Sequence, residues 1–391
     1  MPYQAIDFYD YDALLTEEER LVRDTVRSYV TDRIMPSIAH HWEAGTFPDE
    51  IIPELGKLGL LGPTSSIHEN PLSYVGYGVA MRELERGDSG IRSFASVQGS
   101  LVMFPIGAYG SEDQKKQWLK RLASGEAIGC FGLTEPDAGS NPSGMRTTAK
   151  FDGGGYTING AKRWITNGTK ADVAVVWAKV QGGPDNGEVR GFLLEKGMAG
   201  FQQLKMHHKL SMRASDTAEL VFENVKVGPE AVLPGVRGMK GPLSCLTQAR
   251  FGISFGVIGA AQACFDEAVN YAKTRVQFSG PIAKHQLVQE KIAIMLTDIT
   301  KAQGIAIQLG RMFEQKRAQP AHISLAKRNN TEAALNVART CRALLGGNGI
   351  TGEYQAMRHM CNLETVYTYE GTHDIHTLVL GQAMTGIAAY D

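Results

Sequence analysis

Little in this chain pulls strongly in one direction. Its 391 residues hold only five cysteines, Cys130, Cys245, Cys264, Cys341 and Cys361, widely spaced and without a C-x-x-C pair. That excludes a disulfide scaffold and a cysteine-built zinc site, and it suits reduced thiols inside a cell. Forty Lys and Arg against 41 Asp and Glu leave a net charge of −1, so no global field steers the chain onto nucleic acid or an anionic membrane. The longest apolar run, FGVIGAAQACF at 255–265, is too short and too rich in glycine and alanine to span a bilayer. Residues 1–10 lack the basic and apolar regions of a signal peptide. The expected location is the cytoplasm of a bacterium, or the mitochondrial matrix for a processed eukaryotic chain.

What is present is ordinary globular material, 43% hydrophobic and 21% charged, long enough for two or three domains of roughly 150 residues. Thr16 and Glu19 form a capping box, and Val22, Val26, Tyr29 and Val30 recur at helical spacing until Pro36, which should stop the helix. The same period returns at 51–60, 74–85 and 114–122. From Gly132 the texture becomes β-like. Tyr156 and Ile158 alternate, Asn159-Gly160 predicts a tight hairpin turn, and 171–178, 191–195 and 218–227 read as strands. Helical spacing resumes after Gly241-Pro242, with long helices predicted over 247–275, 285–315 and 323–345 and a last one after His373. The predicted architecture is an N-terminal helical domain (1–126), a middle β-barrel or sandwich domain (127–238) and a C-terminal four-helix bundle (239–391).

Several local patterns carry chemistry. Gly347-Asn348-Gly349-Ile350-Thr351-Gly352 has the letters of a dinucleotide fingerprint. A helical pattern precedes it instead of a strand, so it reads as a glycine-rich helix end. The His373/His376 pair has metal-ligand spacing but no third ligand, and no metal is expected. Gly132 and Gly139, the hydroxyls of Thr134, Ser140 and Thr166, and the face of Trp164 suit a planar, hydrogen-bonding ring system; a polar turn and a core tryptophan would also use them. Glu370 lies among the apolar Leu363, Val366, Ile375 and Leu378. It reads either as a desolvated general base or as a helix-start carboxylate.

Taken in order, FGLTEPDAGS at 131–140, WITN at 164–167, RVQF at 275–278, LLGGNGI at 344–350 and YEGTHDI at 369–375 resemble the acyl-CoA dehydrogenase family over nearly the whole chain. The resemblance implies FAD held between domains and subunits of a homotetramer, an acyl-CoA substrate and electron-transfer flavoprotein as acceptor, with no nucleic acid, membrane or metal. It implies FAD contacts from Phe131, Leu133, Thr134 and Ser140, from Trp164, Ile165 and Thr166, and from Thr372 and Asp374. Contacts across a subunit boundary are implied for Arg275, Phe278, Gln286, Leu344, Gly346 and Gly347. Glu370 takes the catalytic-base position, its own N–H polarising the thioester oxygen, while Ser140, Arg250 and Gly371 face the CoA thioester.

Within the family, ELERGDSGIRS at 83–93 is most similar to the branch that acts on glutaryl-CoA. That likeness implies Arg92 and Ser93 on a distal carboxylate and a polar network of Glu85, Arg92, Ser93, Thr166 and Tyr369. The reaction it implies is α,β-dehydrogenation with decarboxylation to crotonyl-CoA and CO2. The alternatives are another short-chain or dicarboxyl acyl-CoA dehydrogenase, or a short-chain acyl-CoA oxidase. Ile91, Tyr367, Ser279 and Ala343 depart from the branch or family pattern.

Overall fold

A computed structural model describes Tyr3 and residues 5–389. Helix α1 (Glu17–Tyr29) starts as predicted: the Thr16 hydroxyl accepts the Glu19 N–H at 3.2 Å, and the Glu19 carboxylate accepts the Thr16 N–H at 2.9 Å. Pro36 does not end the helical path. A π turn at Val30–Ile34 leads into α2 (Met35–Ala44), whose first turn contains Pro36, where a missing N–H breaks no bond. Helices α3 (Ile52–Lys57), α4 (Tyr74–Gly87), α5 (Ser89–Ser96), α6 (Phe104–Tyr109) and α7 (Glu112–Ser124) complete this region.

A seven-stranded sheet follows, built from β1 (Gly129–Gly132), β2 (Thr148–Phe151), β3 (Tyr156–Thr166), β4 (Val173–Gln181), β5 (Val189–Glu195), β6 (Phe201–Lys205) and β7 (Thr217–Val227). The order is β1-β4-β2-β3-β7-β6, with β5 also on β4. Strand β4, VAVVWAKVQ, runs parallel to β1 and β2 and is almost wholly buried, which explains its unbroken apolar run. The hairpin predicted at Asn159-Gly160 is not there. Strand β3 continues through it, with Gly160 at φ +140° in a bulge against β7. The turn lies earlier, over residues 152–155, where Asp152 Oδ1 accepts the N–H groups of Gly154 (3.1 Å) and Gly155 (2.9 Å).

The C-terminal region comprises α8 (Lys240–Thr274), a two-stranded hairpin of β8 (Val276–Gln277) and β9 (Gly280–Pro281), then α9 (Gln286–Glu314), α10 (Pro320–Leu344), α11 (Ala356–Thr368) and α12 (His373–Thr385). Helix α11 has no counterpart in the sequence reading. Its buried face mixes Arg358, His359 and Asn362 with Ala356, Leu363 and Val366, so the polar half interrupts the apolar period that marks a helix. The Gly346–Ile350 turn follows helix α10, which rules out a Rossmann loop. One apolar core runs through α1, α4 and α5 into α8 to α11, joining the first and last helical regions, while the sheet has its own. Among the described residues no helix is long and apolar enough to cross a membrane, and no three His, Cys, Asp or Glu side chains cluster as metal ligands.

Candidate active site

The site begins at a break between two helices. Asp88, in extended conformation, ends α4 and caps α5: its Oδ1 accepts the Gly90 N–H at 2.7 Å. Its Oδ2 accepts from Arg358 Nη1 and Asn362 Nδ2, both at 2.8 Å, so α11 anchors the start of α5. One turn on, Arg92 is fully buried and donates from Nε to Glu85 Oε2 at 2.6 Å. Its Nη2 donates to the Tyr369 hydroxyl, while Nη1 has no hydrogen-bond partner among the described residues. Ser89 Oγ donates to the other Glu85 oxygen at 2.8 Å. Burial opposes the Arg92 charge, but Glu85 and then Tyr369 outweigh it and hold the guanidinium protonated. Ser93 is buried beside Arg92.

Tyr369, Glu370 and Gly371 form the turn between α11 and α12, and three cations each grip one residue of it. Arg92 holds the Tyr369 hydroxyl, Arg250 of α8 donates from Nε to Glu370 O at 2.6 Å, and Lys327 of α10 donates to Gly371 O at 2.9 Å. Glu370 sits at φ +53°, a left-handed conformation that costs a non-glycine residue about 1 kcal/mol or more. Gly371, at φ +94°, could not be replaced: a Cβ there would lie 2.8 Å from His376 Nε2 and 3.3 Å from Arg250 Nη2. Glu370 is half-buried as a residue, yet its Oε2 is sealed and without a partner among the described residues. Burial raises its pKa, and Arg92, Arg250 and Lys327 offset that only in part. Glu370 is therefore a desolvated carboxylate in the turn before α12, and Thr372 is the residue that caps that helix. The Glu370 N–H likewise donates to no acceptor among the described residues.

The glycine-rich segment and the tryptophan motif meet on the sheet. The Arg163 N–H donates to Thr134 O at 2.8 Å, and buried Lys162 donates to Leu133 O at 3.1 Å and Glu135 Oε1 at 2.8 Å. Burial lowers the Lys162 pKa to about 8 against the pull of Glu135. Sequence reasoning missed this pair, although a lysine among inward-facing β3 residues was the available signal. A register shift between Lys162 and Ile165 then turns Trp164 outward at φ +62°, leaving it 59% exposed. Phe131, Leu133 and Ile165 are buried, Thr134 and Thr166 are half-buried, and Ser140 is exposed. Thr166 pairs with Thr217 across the sheet, and no hydrogen bond among the described residues ties it to Glu85, Arg92 or Tyr369.

A third group lies at one end of the helical bundle. Arg275, Phe278 and Gln286 are exposed on the connection from α8 to α9, with Phe278 at φ +57° and 95% exposed. Gly346 and Gly347 are exposed in the turn after α10, and Leu344, the last residue of that helix, is half-buried. That turn is tied to α8 by Asn348 Nδ2, which donates to Tyr271 Oη at 3.1 Å. Thr372 caps α12 by accepting the Ile375 N–H at 3.2 Å, and Asp374 is exposed in its first turn. Thus Glu85, Arg92, Tyr369, Glu370, Gly371 and Arg250 converge, with Thr372 directly after them in the chain, whereas no hydrogen bond among the described residues joins Arg275, Phe278, Gln286, Leu344, Gly346 or Gly347 to that set. Lys327 and His376 also belong to the convergent set: Lys327 was missed because an isolated lysine in a helical pattern looks like a solvated position, and His376 was weighed only as a metal ligand.

The comparisons agree with this architecture. Family models described as the N-terminal, middle and C-terminal domains of acyl-CoA dehydrogenase match residues 16–126, 130–225 and 236–385. The short-chain specific acyl-CoA dehydrogenase of Homo sapiens mitochondria is 33% identical over 370 residues, 94% of this chain and 90% of that protein. A crystal structure of a glutaryl-CoA dehydrogenase from Mycobacterium smegmatis in complex with FADH2 is 49% identical, with a TM-score of 0.95 over 98% of both chains. Butyryl-CoA dehydrogenase from Megasphaera elsdenii is 32% identical, with a TM-score of 0.89, covering 97% of this chain and 100% of that one.

Proposed function

The chain belongs to the acyl-CoA dehydrogenase family, and from that premise we propose that it binds FAD and dehydrogenates glutaryl-CoA, with decarboxylation to crotonyl-CoA and CO2. Electrons then pass to an electron-transfer flavoprotein. The observation that carries the substrate is Arg92: a fully buried guanidinium whose Nη1 is uncommitted, one hydrogen bond away from the residue preceding a desolvated carboxylate. A cation so placed suits a substrate that ends in an anion. The likeness to a glutaryl-CoA dehydrogenase at 49% identity supports the same reading.

The residues fit FAD. Trp164 and Phe278 are large aromatics held out of the core in left-handed backbone, and Gly139, Gly346 and Gly347 have open space where a Cβ would be. Trp164, Thr134 and Thr166 would hold the ring system, and Arg275 with Gln286 the phosphate end, contributed by a second copy in a homotetramer. When bound, FAD supplies the two-electron acceptor for the β-hydride.

The chain's own residues do the acid–base work. Glu370, made more basic by burial, takes the α-proton, and its free N–H donates to the thioester oxygen as negative charge develops there. Arg250 fixes the Glu370 carbonyl and so the peptide that follows the base. Arg92 positions the distal carboxylate, with Glu85 as its counter-ion. Once the α,β double bond exists, loss of the γ-carboxylate leaves charge delocalised onto the same thioester oxygen, and the proton on Glu370 is available to the γ carbon.

The test is anaerobic mixing of FAD-loaded protein with glutaryl-CoA, following loss of flavin absorbance and identifying the product by mass. Bleaching with crotonyl-CoA and CO2 is expected. Bleaching that stops at glutaconyl-CoA would reject the decarboxylation, and bleaching by butyryl-CoA alone would reject the carboxylate site.

A further inference from the structure

Lys327 has no role in the chemistry above, yet it is fully buried on α10 directly beneath the base. Its Nζ donates to Gly371 O at 2.9 Å and to Tyr367 O at 3.3 Å, bridging the carbonyl at the end of α11 to the carbonyl just past Glu370. No carboxylate pairs with it among the described salt bridges, which is unusual for a buried lysine. The charged and titratable groups facing it are Glu370 in the turn, Arg250 on α8, Arg92 on α5, and His373 and His376 on α12. Both histidines are held neutral, first by burial, and the His376 pKa falls to about 3. Glu370 is thus the anion nearest in this set.

We propose that Lys327 is a positioning residue for the Glu370 base: it ties the two carbonyls that flank Glu370 and places a positive charge beneath its carboxylate. This deepens the proposed function and rests on Glu370 being the base. The two bonds restrain both ends of a turn whose middle residue is strained, and the charge keeps a desolvated carboxylate ionisable. Arg92 and Arg250 act on the same turn from the other side, but each also has a second duty, on Glu85 and toward the thioester. Lys327 has only this one. Burial brings its own pKa down to about 7 against the pull of Glu370.

The test reads Glu370 without any substrate, so that failure of the proposed reaction and failure of this inference are separable. Infrared difference spectra of the full-length holoprotein across pH, wild type minus Glu370→Gln, isolate the carboxylic C=O band of Glu370. The same subtraction is made in Lys327→Met, which removes both donors and charge, and in Lys327→Gln, which keeps a donor and loses charge. The midpoint should rise by about one pH unit in both. With substrate, the acid limb of kcat should move up with it, and kcat at neutral pH should fall about tenfold with KM within about twofold. A lowered melting temperature with an unmoved Glu370 midpoint would overturn the proposal and leave Lys327 a structural residue. Failure of both variants to fold would overturn it as well. Absence of turnover with glutaryl-CoA in the wild type would sink the proposed reaction while the carboxyl titration still judged Lys327.

Discussion

Glu370 on one side, and Trp164 and Phe278 on the other, use the same backbone device to opposite ends. All three are non-glycine residues at φ between 53° and 62°. Around Glu370 the chain itself supplies the compensation, with Arg92, Arg250 and Lys327 each bonded to one residue of the turn. Around Trp164 and Phe278 it supplies almost none, and the rings stand 59% and 95% exposed. Strain persists only where something over-determines it. The inner cluster is therefore held by bonds within one chain, whereas the outer rings stand exposed where the proposed cofactor and second copy would meet them.

The most severe way to probe the inner site is Glu370→Gln. Removing the base should lower the rate of flavin bleaching by acyl-CoA about 10³- to 10⁴-fold while FAD content is unchanged. Arg92→Met comes next. It should cut kcat/KM for glutaryl-CoA by about 100-fold or more and spare butyryl-CoA, and it should destabilise the fold by about 3–5 kcal/mol because Glu85 is left buried and unpaired. Adding Glu85→Gln should recover most of the melting temperature without recovering the glutaryl-CoA preference; recovery of both would show that Arg92 does not read the carboxylate.

The outer surfaces should respond differently. Trp164→Ala and Phe278→Ala should change the stability of the FAD-free chain by no more than about 0.5 kcal/mol yet loosen FAD about tenfold or more, measured by flavin retained on gel filtration. A large loss of stability in the FAD-free chain would erase the distinction between the regions. The smallest effect concerns pH. Because the folded-state pKa of Glu370 is raised, the folded chain binds its proton more tightly, and the carboxylate works against stability once pH rises through the folded value. Glu370→Gln should therefore raise the melting temperature at alkaline pH and leave it unchanged at pH below about 4. In the wild type, kcat should fall with decreasing pH at a midpoint above the ordinary glutamate range.

Much of this was legible in the residues. The capping box at Thr16, the alternation of the strands, and the ordered motifs around 131–140, 164–167 and 369–375 pointed to the family and to Glu370. The errors were local and have local causes. Asn159-Gly160 looks like a turn, but β3 runs straight through it and the irregularity is an extra residue in the facing β7. Pro36 looks like a stop, but a π turn places it where no N–H is needed. Helix α11 hid because Asp88, Trp42 and Met212 satisfy its buried Arg358 and Asn362 from distant parts of the chain.

By itself the sequence determined the order of helical and β regions and, through its ordered short motifs, the family, since both reside in residue type and short-range spacing. Only the tertiary structure decided what surrounds Glu370. Its partners come from residue 92 on α5, 250 on α8 and 327 on α10, and burial together with a nearby charge, neither of which is a property of neighbours in sequence, sets the acidity of a carboxylate. The same holds for Lys327, a lone lysine in a helical pattern until α10 packs beneath the turn and makes two carbonyls its only hydrogen-bond acceptors among the described residues.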